Sequence, residues 1–359
     1  MTARIATIVN SESISTPGTL VSDIGINDPI SSITIRASLA NSSAVPTAHP
    51  IKAIRKIEVV DGSRVLFGLT GQEALALAIL LSGCNLIPLI DYMSGGVTTL
   101  IIPLMFGRAL YDPLYALDPA HHSNLQLRIT HNVALGGSAA NAGSISATAD
   151  VLTPGKTPPI GFISSLEQED FTLSAAANNY TDIPTDNALR MILLASLNDT
   201  YSPLDHFHSL KLTADNDRYV IIDSAIEDII YRGHINNRPI IDTLLASVLT
   251  TTQIHPITSS IAQSVTALCQ GQSGTVITTD TPTGASVDIR TVTTADDVQA
   301  SINGICPLGA LAIPIGDIMD STQWLQPNEA KSLKLIVKAG SSLGASPTAQ
   351  VTTQQAVSY

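Results

Sequence analysis

The chain repeats itself, and an internal repeat constrains a fold more than any single motif does. Leu117–Thr130 reads LDPAHHSNLQLRIT, and Leu325–Lys338 reads LQPNEAKSLKLIVK. Each has a Leu-x-Pro turn, a polar loop and then an alternation suited to a half-buried strand. Leu117, Pro119, Leu125 and Leu127 recur 208 positions later as Leu325, Pro327, Leu333 and Leu335, and Leu135-Gly136-x-Ser138 recurs as Leu343-Gly344-x-Ser346 at the same offset.

A second set of matches lies upstream. ASLANSSAVPTAH (Ala37–His49) resembles ASLNDTYSPLDH (Ala195–His206), and each leads into a strand. Ile54-x-x-Ile57-x-Val59 corresponds to Phe207-x-x-Leu210-x-Leu212, 153 positions on. After a polar turn the next strands open with Arg64 and Arg218. Thr70-x-x-Glu73 and Ser224-x-x-Glu227 then read as capping boxes 154 positions apart, in which hydroxyl and carboxylate satisfy each other's free backbone N–H groups. Gly83 and Gly233 are the expected helix stops. The growth of the offset from 154 to 208 places an insertion in the second copy, between about 233 and 311. Within it, 239–250 and 258–270 have helical spacing. The Thr/Gly-rich stretch that follows predicts a hairpin, with strands near Thr275–Thr279 and Ser286–Val292. Asp280, Pro282 and Gly284 mark its exposed turn.

Short alternating strands, Gly/Pro/Asn turns and one helix per copy predict an all-β fold: two tandem β-sandwiches with Greek-key or jelly-roll connections rather than alternating βαβ units. The expected boundaries are an N-terminal arm (1–27), a first roll (28–145), a Gly/Ser/Ala-rich linker (146–185), a second roll (186–346) and a C-terminal tail (347–359). The apolar stretch Ala74–Ile90, interrupted by Gly83, Asn85 and Pro88, predicts a buried helix and loop rather than a membrane span.

Composition narrows the function. Only 13% of the 359 residues are charged, 44% are hydrophobic and the formal net charge is −12. Few charges suit either a stable enzyme with a bland surface or a surface largely covered by neighbours, and an acidic chain does not suit wrapping nucleic acid. The basic cluster Lys52, Arg55, Lys56 and Arg64 reads as a solvated strand face, or as a patch facing anionic lipid or an acidic partner. Cys84, Cys269 and Cys306 have no C-x-x-C spacing and read as small apolar residues of a reducing compartment. With no signal-peptide pattern at the start, the sequons at Asn41, Asn179 and Asn198 carry no expected glycan.

In the paired units IRKIEVVDGSRVLFGLTGQE and HSLKLTADNDRYVIIDSAIE, and the paired LDP…LQLRIT and LQP…LKLIVK, the chain resembles the double jelly-roll major capsid proteins of tailless icosahedral viruses, the lineage joining membrane-containing bacteriophages to adenovirus. The resemblance covers nearly the whole chain as architecture, and it implies tandem eight-stranded jelly rolls with short flanking helices. It implies a non-enzymatic shell protein of the virion, assembled in the host cytoplasm as pseudo-hexameric homotrimers. Implied partners are copies of itself, minor capsid or vertex proteins and, as an open alternative, an internal lipid membrane, with no direct genome binding and no cofactor. By this resemblance the insertion rises as a tower from the outer face of the second roll.

Chemical alternatives were weighed residue by residue. TPGKTPP (Thr153–Pro159) holds the Gly-Lys-Thr of a phosphate loop, but Asp150 stands where the earlier glycine belongs and Pro158-Pro159 follow. His206-x-His208 would put two imidazoles on one strand face, the beginning of a bicupin metal site. Leu212 and Thr213, however, occupy the places of the required Glu, so interface histidines are the competing reading. His121-His122 reads as a loop pair, and Asp215 and Asp217 as a turn without the glycine of an EF-hand. A tandem β-sandwich binding module is the remaining alternative.

Overall fold

The computed structural model describes residues 3–42, 45–137, 140–153, 158–196, 202–236, 239–248, 251–255, 258–269, 277–280, 287–291, 296–327, 329–344 and 347–359. The first roll contains β1 (Ala3–Ile14), β2 (Gly18–Asp23), β3 (Ile30–Asn41), β4 (Ile54–Asp61), β5 (Arg64–Leu69), α1 (Gly71–Ser82), β6 (Ile90–Tyr92), β7 (Val97–Met105), β8 (Leu125–His131) and β9 (Ala140–Leu152). The second contains β10 (Gly161–Thr172), β11 (Asn178–Ile183), β12 (Ala188–Ser196), α2 (Pro203–His206), β13 (Phe207–Ala214), β14 (Tyr219–Ala225) and α3 (Ile226–Asn236). An insertion follows: β15 (Ile240–Val248), β16 (Thr251–Ile254), β17 (Thr258–Cys269), β18 (Ile277–Asp280), β19 (Val287–Thr291) and β20 (Asp296–Pro307). The roll then closes with β21 (Ala310–Pro314), β22 (Leu333–Ala339) and β23 (Thr348–Ser358).

Strand order makes the repeat explicit. The first roll pairs β1-β9-β3-β7 and β2-β8-β4-β5, and the second pairs β10-β23-β12-β21 and β11-β22-β13-β14. The two topologies are identical, eight strands in two four-stranded sheets, which is the jelly roll. Register agrees to the residue. Ile57 faces Ile129 and Val59 faces Leu127, while Leu210 faces Val337 and Leu212 faces Leu335. Both copies carry a bulge at the same place, after Val59 and after Leu212. A slip of one residue would turn every one of these apolar side chains out of its core.

Some expectations shift by a residue or fail. Arg64 faces Asp61, but Tyr219, not Arg218, faces the matching Ala214. The second turn is longer, carrying Asp215, Asn216 and Asp217 through left-handed conformations with φ of 53°, 56° and 64°. The Thr70 capping box forms: Glu73 N donates to Thr70 Oγ1 (3.2 Å) and Thr70 N donates to Glu73 Oε2 (3.0 Å). Gly83 ends α1 at φ 68°. In the second copy Ser224 lies in β14 opposite Leu210, and α3 starts only at Ile226 and continues past Gly233.

The domain boundaries are corrected too. The expected arm holds β1 and β2, the expected linker holds the end of β9 with β10 and β11, and the expected tail is β23. The rolls therefore run from Ala3 to Leu152 and from Gly161 to Ser358. These strands were hidden because few of them present an alternation of large apolar residues. β1 turns only Val9 and Ile14 fully inward, β9 is built largely from Ala, Gly and Ser, and β23 buries Gln350, Thr352 and Gln354.

The insertion is β rather than helical. In β15, Ile240, Asp242, Leu244 and Ala246 are buried while Ile241 is exposed, a period of two; ladder pairing with β20 overrides the helical spacing of the apolar residues. Its strands form the sheets β17-β20-β15-β6 and β16-β19-β18. The expected hairpin is present as β18 and β19, with Asp280 opposite Asp288; Pro282 and Gly284 lie outside the described residues. The insertion leaves the second roll yet pairs β15 in parallel with β6 of the first.

The cores meet across one sheet. β2-β8-β4-β5 continues into β10-β23-β12-β21 as eight strands, through a parallel contact of Gly68 with Leu166. On β12, Leu189, Ile192 and Leu194 face the second roll's core, whereas Met191, Leu193 and Ala195 join the first roll's. On β21, Ala310 belongs to the first and Leu311 and Ile313 to the second. Among the described residues no helix is long and apolar enough to cross a membrane.

Candidate functional site: the joint between the rolls and the outward faces

Three polar locks hold the rolls in one orientation. The first is Glu73 on α1, almost fully buried against β23. Thr352 Oγ1 donates to its Oε1 (2.6 Å), and Thr70 supplies backbone and hydroxyl donors to Oε2. Burial pushes the Glu73 carboxyl above the ordinary range, and the hydrogen bonds from Thr352 and Thr70 offset part of that rise.

The second lock is Arg190, 0% exposed on β12. Its Nε donates to Ile318 O (3.0 Å), Nη1 to Gln354 Oε1 (2.9 Å) and Nη2 to Arg108 O across the joint (3.3 Å). The guanidinium lies over the Trp324 ring at 5.8 Å. Burial, reinforced by the Arg108 cation, lowers the Arg190 pKa to about 10, so it remains charged at neutral pH. Arg108 is itself held bidentately by Asp112 (2.7 and 2.9 Å) and lies over Tyr115.

The third lock is Tyr359. Its ring stacks on His121 of the first roll with centroids 4.2 Å apart, and its hydroxyl donates to Ala116 O (2.7 Å) while accepting from Asp118 N. Burial raises its pKa beyond the ordinary tyrosine range. Beside it, His122 Nδ1 lies 3.1 Å from Asp61, so the pair expected as a plain loop lines this joint.

Outside the joint, the β1-β9-β3-β7 sheet turns a short-chained, hydroxyl-rich face away from its core. Thr34 sits beside Thr148, and Arg36 beside Ser146, while Ser38 stands between Ser144 and Thr99. On the strands at its two edges Ile5 and Val97 are 73% and 54% exposed. Apart from Arg36, which donates to Ser146 Oγ, and Asp150, which accepts from Ser32, such a face offers close approach.

The sequence-predicted chemical residues do not converge. His206 ends α2 and is buried, while His208 is exposed on β13, so they do not share a strand face. His206 Nε2 lies 3.1 Å from Leu343 O, and Nδ1 meets Ser196 Oγ. With Nε2–H donating, Nδ1 accepts the hydroxyl hydrogen. Ser196 and His206 are 2% and 0% exposed, so this Ser–His pair is closed to substrate and pins α2 to β12. Among the described residues no group of three His, Cys, Asp or Glu side chains could hold a metal. Asp215 Oδ1 is used by Lys331 N (2.8 Å) and Ser332 N (3.3 Å), closing the turn onto the chain before β22. In the Gly-Lys-Thr stretch, 154–157 lie outside the described residues. Asn41 Nδ2 donates to Asp91 O and Met93 O, both at 2.8 Å, which ties that sequon into a turn.

Arg190 was missed as a joint residue, although its signal is legible: one arginine inside the apolar run ALRMILLAS. Glu73 was legible as a cap but not as a buried contact with Thr352. Nothing local marks Tyr359.

No protein-family model and no curated protein matches the sequence. Solved structures do match in fold. The chain is similar to the crystal structure of the STIV MCP, with a TM-score of 0.63 at 10% identity over 99% of this chain and 97% of that one. It is similar to the major capsid protein of bacteriophage PM2, with a TM-score of 0.57 at 10% identity over 100% and 98%. For the PBCV-1 virus capsid the TM-score is 0.52 at 10% identity over 99% and 94%. The chain thus has the double jelly-roll fold of these proteins along its whole length.

Proposed function

We propose that the chain is a viral major capsid protein that forms pseudo-hexameric homotrimers in an icosahedral shell. One observation carries the proposal: two rolls of identical topology are fused by a shared core and three polar locks. A rigid pair of like units lets three chains present six near-equivalent rolls, which fills a sixfold lattice position with threefold symmetry. The low charge, the hydroxyl-rich outward face and the exposed Ile5 and Val97 support burial by neighbouring copies. The fold shared with capsid proteins supports the same reading. On this proposal the chain resides in the virion shell, performs no catalysis, meets minor capsid or vertex proteins at the lattice edges and meets lipid where a membrane underlies the shell. The insertion faces outward, with its turn at Asp280, Pro282 and Gly284 the most exposed point.

Light scattering and negative-stain imaging of purified protein and particles test this. The expected species has three times the chain mass of 37.6 kDa, with a pseudo-hexagonal outline and obligate interfaces above about 2,000 Å². Limited proteolysis of particles should nick 280–284 first and leave the shell intact. A monomer persisting at micromolar concentration would overturn the trimer, and protection of 280–284 would overturn the outward insertion.

A further inference from the structure

The insertion is chained to the second roll but seated on the first, and the centre of that seat is basic. Its apolar residues, among them Leu244, Ile254 and Ile289, share one buried cluster with Ile51, Ile87 and Tyr92 of the first roll. Direct polar ties among the described residues cross this contact as well. β15 and β6 exchange three paired residues. Asn85 Nδ2 donates to Ile241 O (3.1 Å) and Asp242 Oδ1 (2.7 Å), and Tyr92 Oη donates to His255 O (2.8 Å).

His255, following β16, is 8% exposed, and its ring centroid lies 6.5 Å from that of Tyr92. Its charge and that of Lys52 act on His49, which caps the 3-10 turn Pro50–Ala53 of the first roll that carries Lys52. His49 is 3% exposed. Its Nδ1 accepts from Ile51 N (3.1 Å), which requires a neutral ring, and its Nε2 is buried without a hydrogen-bond partner. Burial first, then His255 and Lys52, lowers the His49 pKa to about 3. Burial and Lys52 lower that of His255, opposed in part by the Thr47 backbone.

Among the described residues, three carboxylates near this seat accept from identified donors. Asp91 on β6 accepts from Met93 N (2.8 Å), Asp242 on β15 accepts from Asn85, and Asp288 on β19 pairs with Arg290 (3.5 Å). The Tyr92 hydroxyl stays protonated. The charges acting on the two rings are therefore cations.

We infer that the contact between the insertion and the first roll is an acid-released latch, with His49 and His255 as its titrating pair. Protonating His49 removes its cap on Ile51 N, and protonating either ring adds a buried cation beside Lys52. The sign follows from linkage. Released histidines titrate near about 6.5 and docked ones lower, so docking is at full strength above about pH 6.5 and weakens as pH falls. A His49 that regains the ordinary pKa on release weakens docking about thirtyfold between pH 7.5 and 5.0, and His255 adds to this.

Hydrogen exchange on the purified full chain at pH 7.5 and 5.0, corrected for intrinsic exchange, tests the latch whether or not the chain builds a shell. Protection of the β15 and β6 amides should fall tenfold or more at pH 5.0, while that of β4 and β8 stays constant. His49→Asn keeps a side-chain acceptor for Ile51 N but does not titrate, so with His255→Gln it should abolish the fall. Equal β15 protection at both pH values, a fall that persists in the double variant, or a parallel fall in β4 and β8 would overturn the latch. Should the double variant lose its fold at pH 7.5 by circular dichroism, the wild-type comparison of β15 with β4 and β8 decides alone.

Discussion

Glu73 shows how one residue serves two levels at once. Its side chain closes the N-terminus of α1 and, through Thr352, fastens that helix to the last strand of the other roll. The cost is a carboxyl held above its ordinary pKa by burial. A carboxyl whose folded pKa is raised contributes most below the unfolded value of about 4.3, and that contribution is lost as pH rises through the folded pKa. Glu73→Gln removes the charge and leaves one acceptor oxygen where two accept, from Thr352 and from Thr70. The urea midpoint of Glu73→Gln relative to wild type should therefore rise from pH 4 to pH 7. A difference independent of pH would mean that the carboxyl is not strained by burial. Of this residue the sequence shows the spacing Thr70-x-x-Glu73, a local fact. Thr352 lies 279 positions away, and nothing local announces it.

At the scale of elements, α1 rests on β4 through the absence of a side chain. A Cβ on Gly71 would stand 2.2 Å from Ile54 O and 2.9 Å from Ile54 Cβ. Helix propensity alone favours Ala over Gly by about 1 kcal/mol, so an isolated α1 would gain from Gly71→Ala. In the folded chain the same change should destabilise by about 1–3 kcal/mol, because the helix must lift off the sheet. Thermal unfolding of the variant decides which effect wins, and a raised midpoint would show that the helix is free to move. β4, β8, β13 and β22 were legible because one face is apolar and the other wetter: β8 alternates without a break. β12 and β23 are buried on both faces, so alternation carries no inside-outside signal there.

At the scale of the whole molecule, the two rolls are one cooperative unit. Leu193 is carried by the second roll but packed in the first roll's core. Leu193→Ala should cost about 2–5 kcal/mol and move both rolls together. Far-ultraviolet circular dichroism, which sums over both rolls, and fluorescence of Trp324, which sits at the joint, should give coincident urea transitions in wild type and variant. Two separated transitions would show that the rolls are only tethered.

The sequence by itself determined the duplication, the all-β class, the equivalence of β4 with β13 and of β8 with β22, the α1 cap and the place of the insertion. Each of these rests on local alternation or on a motif repeated at constant offset. The tertiary structure alone decided that β1, β9, β10 and β23 belong to the rolls, that Arg190 and Glu73 fasten one roll to the other, and that the insertion docks on the roll it does not grow from. The physical reason is that these features depend on what covers the second face of a strand. A sheet buried between two cores accepts Thr, Gln and even Arg wherever a partner supplies the hydrogen bonds, and those partners stand more than a hundred residues away along the chain.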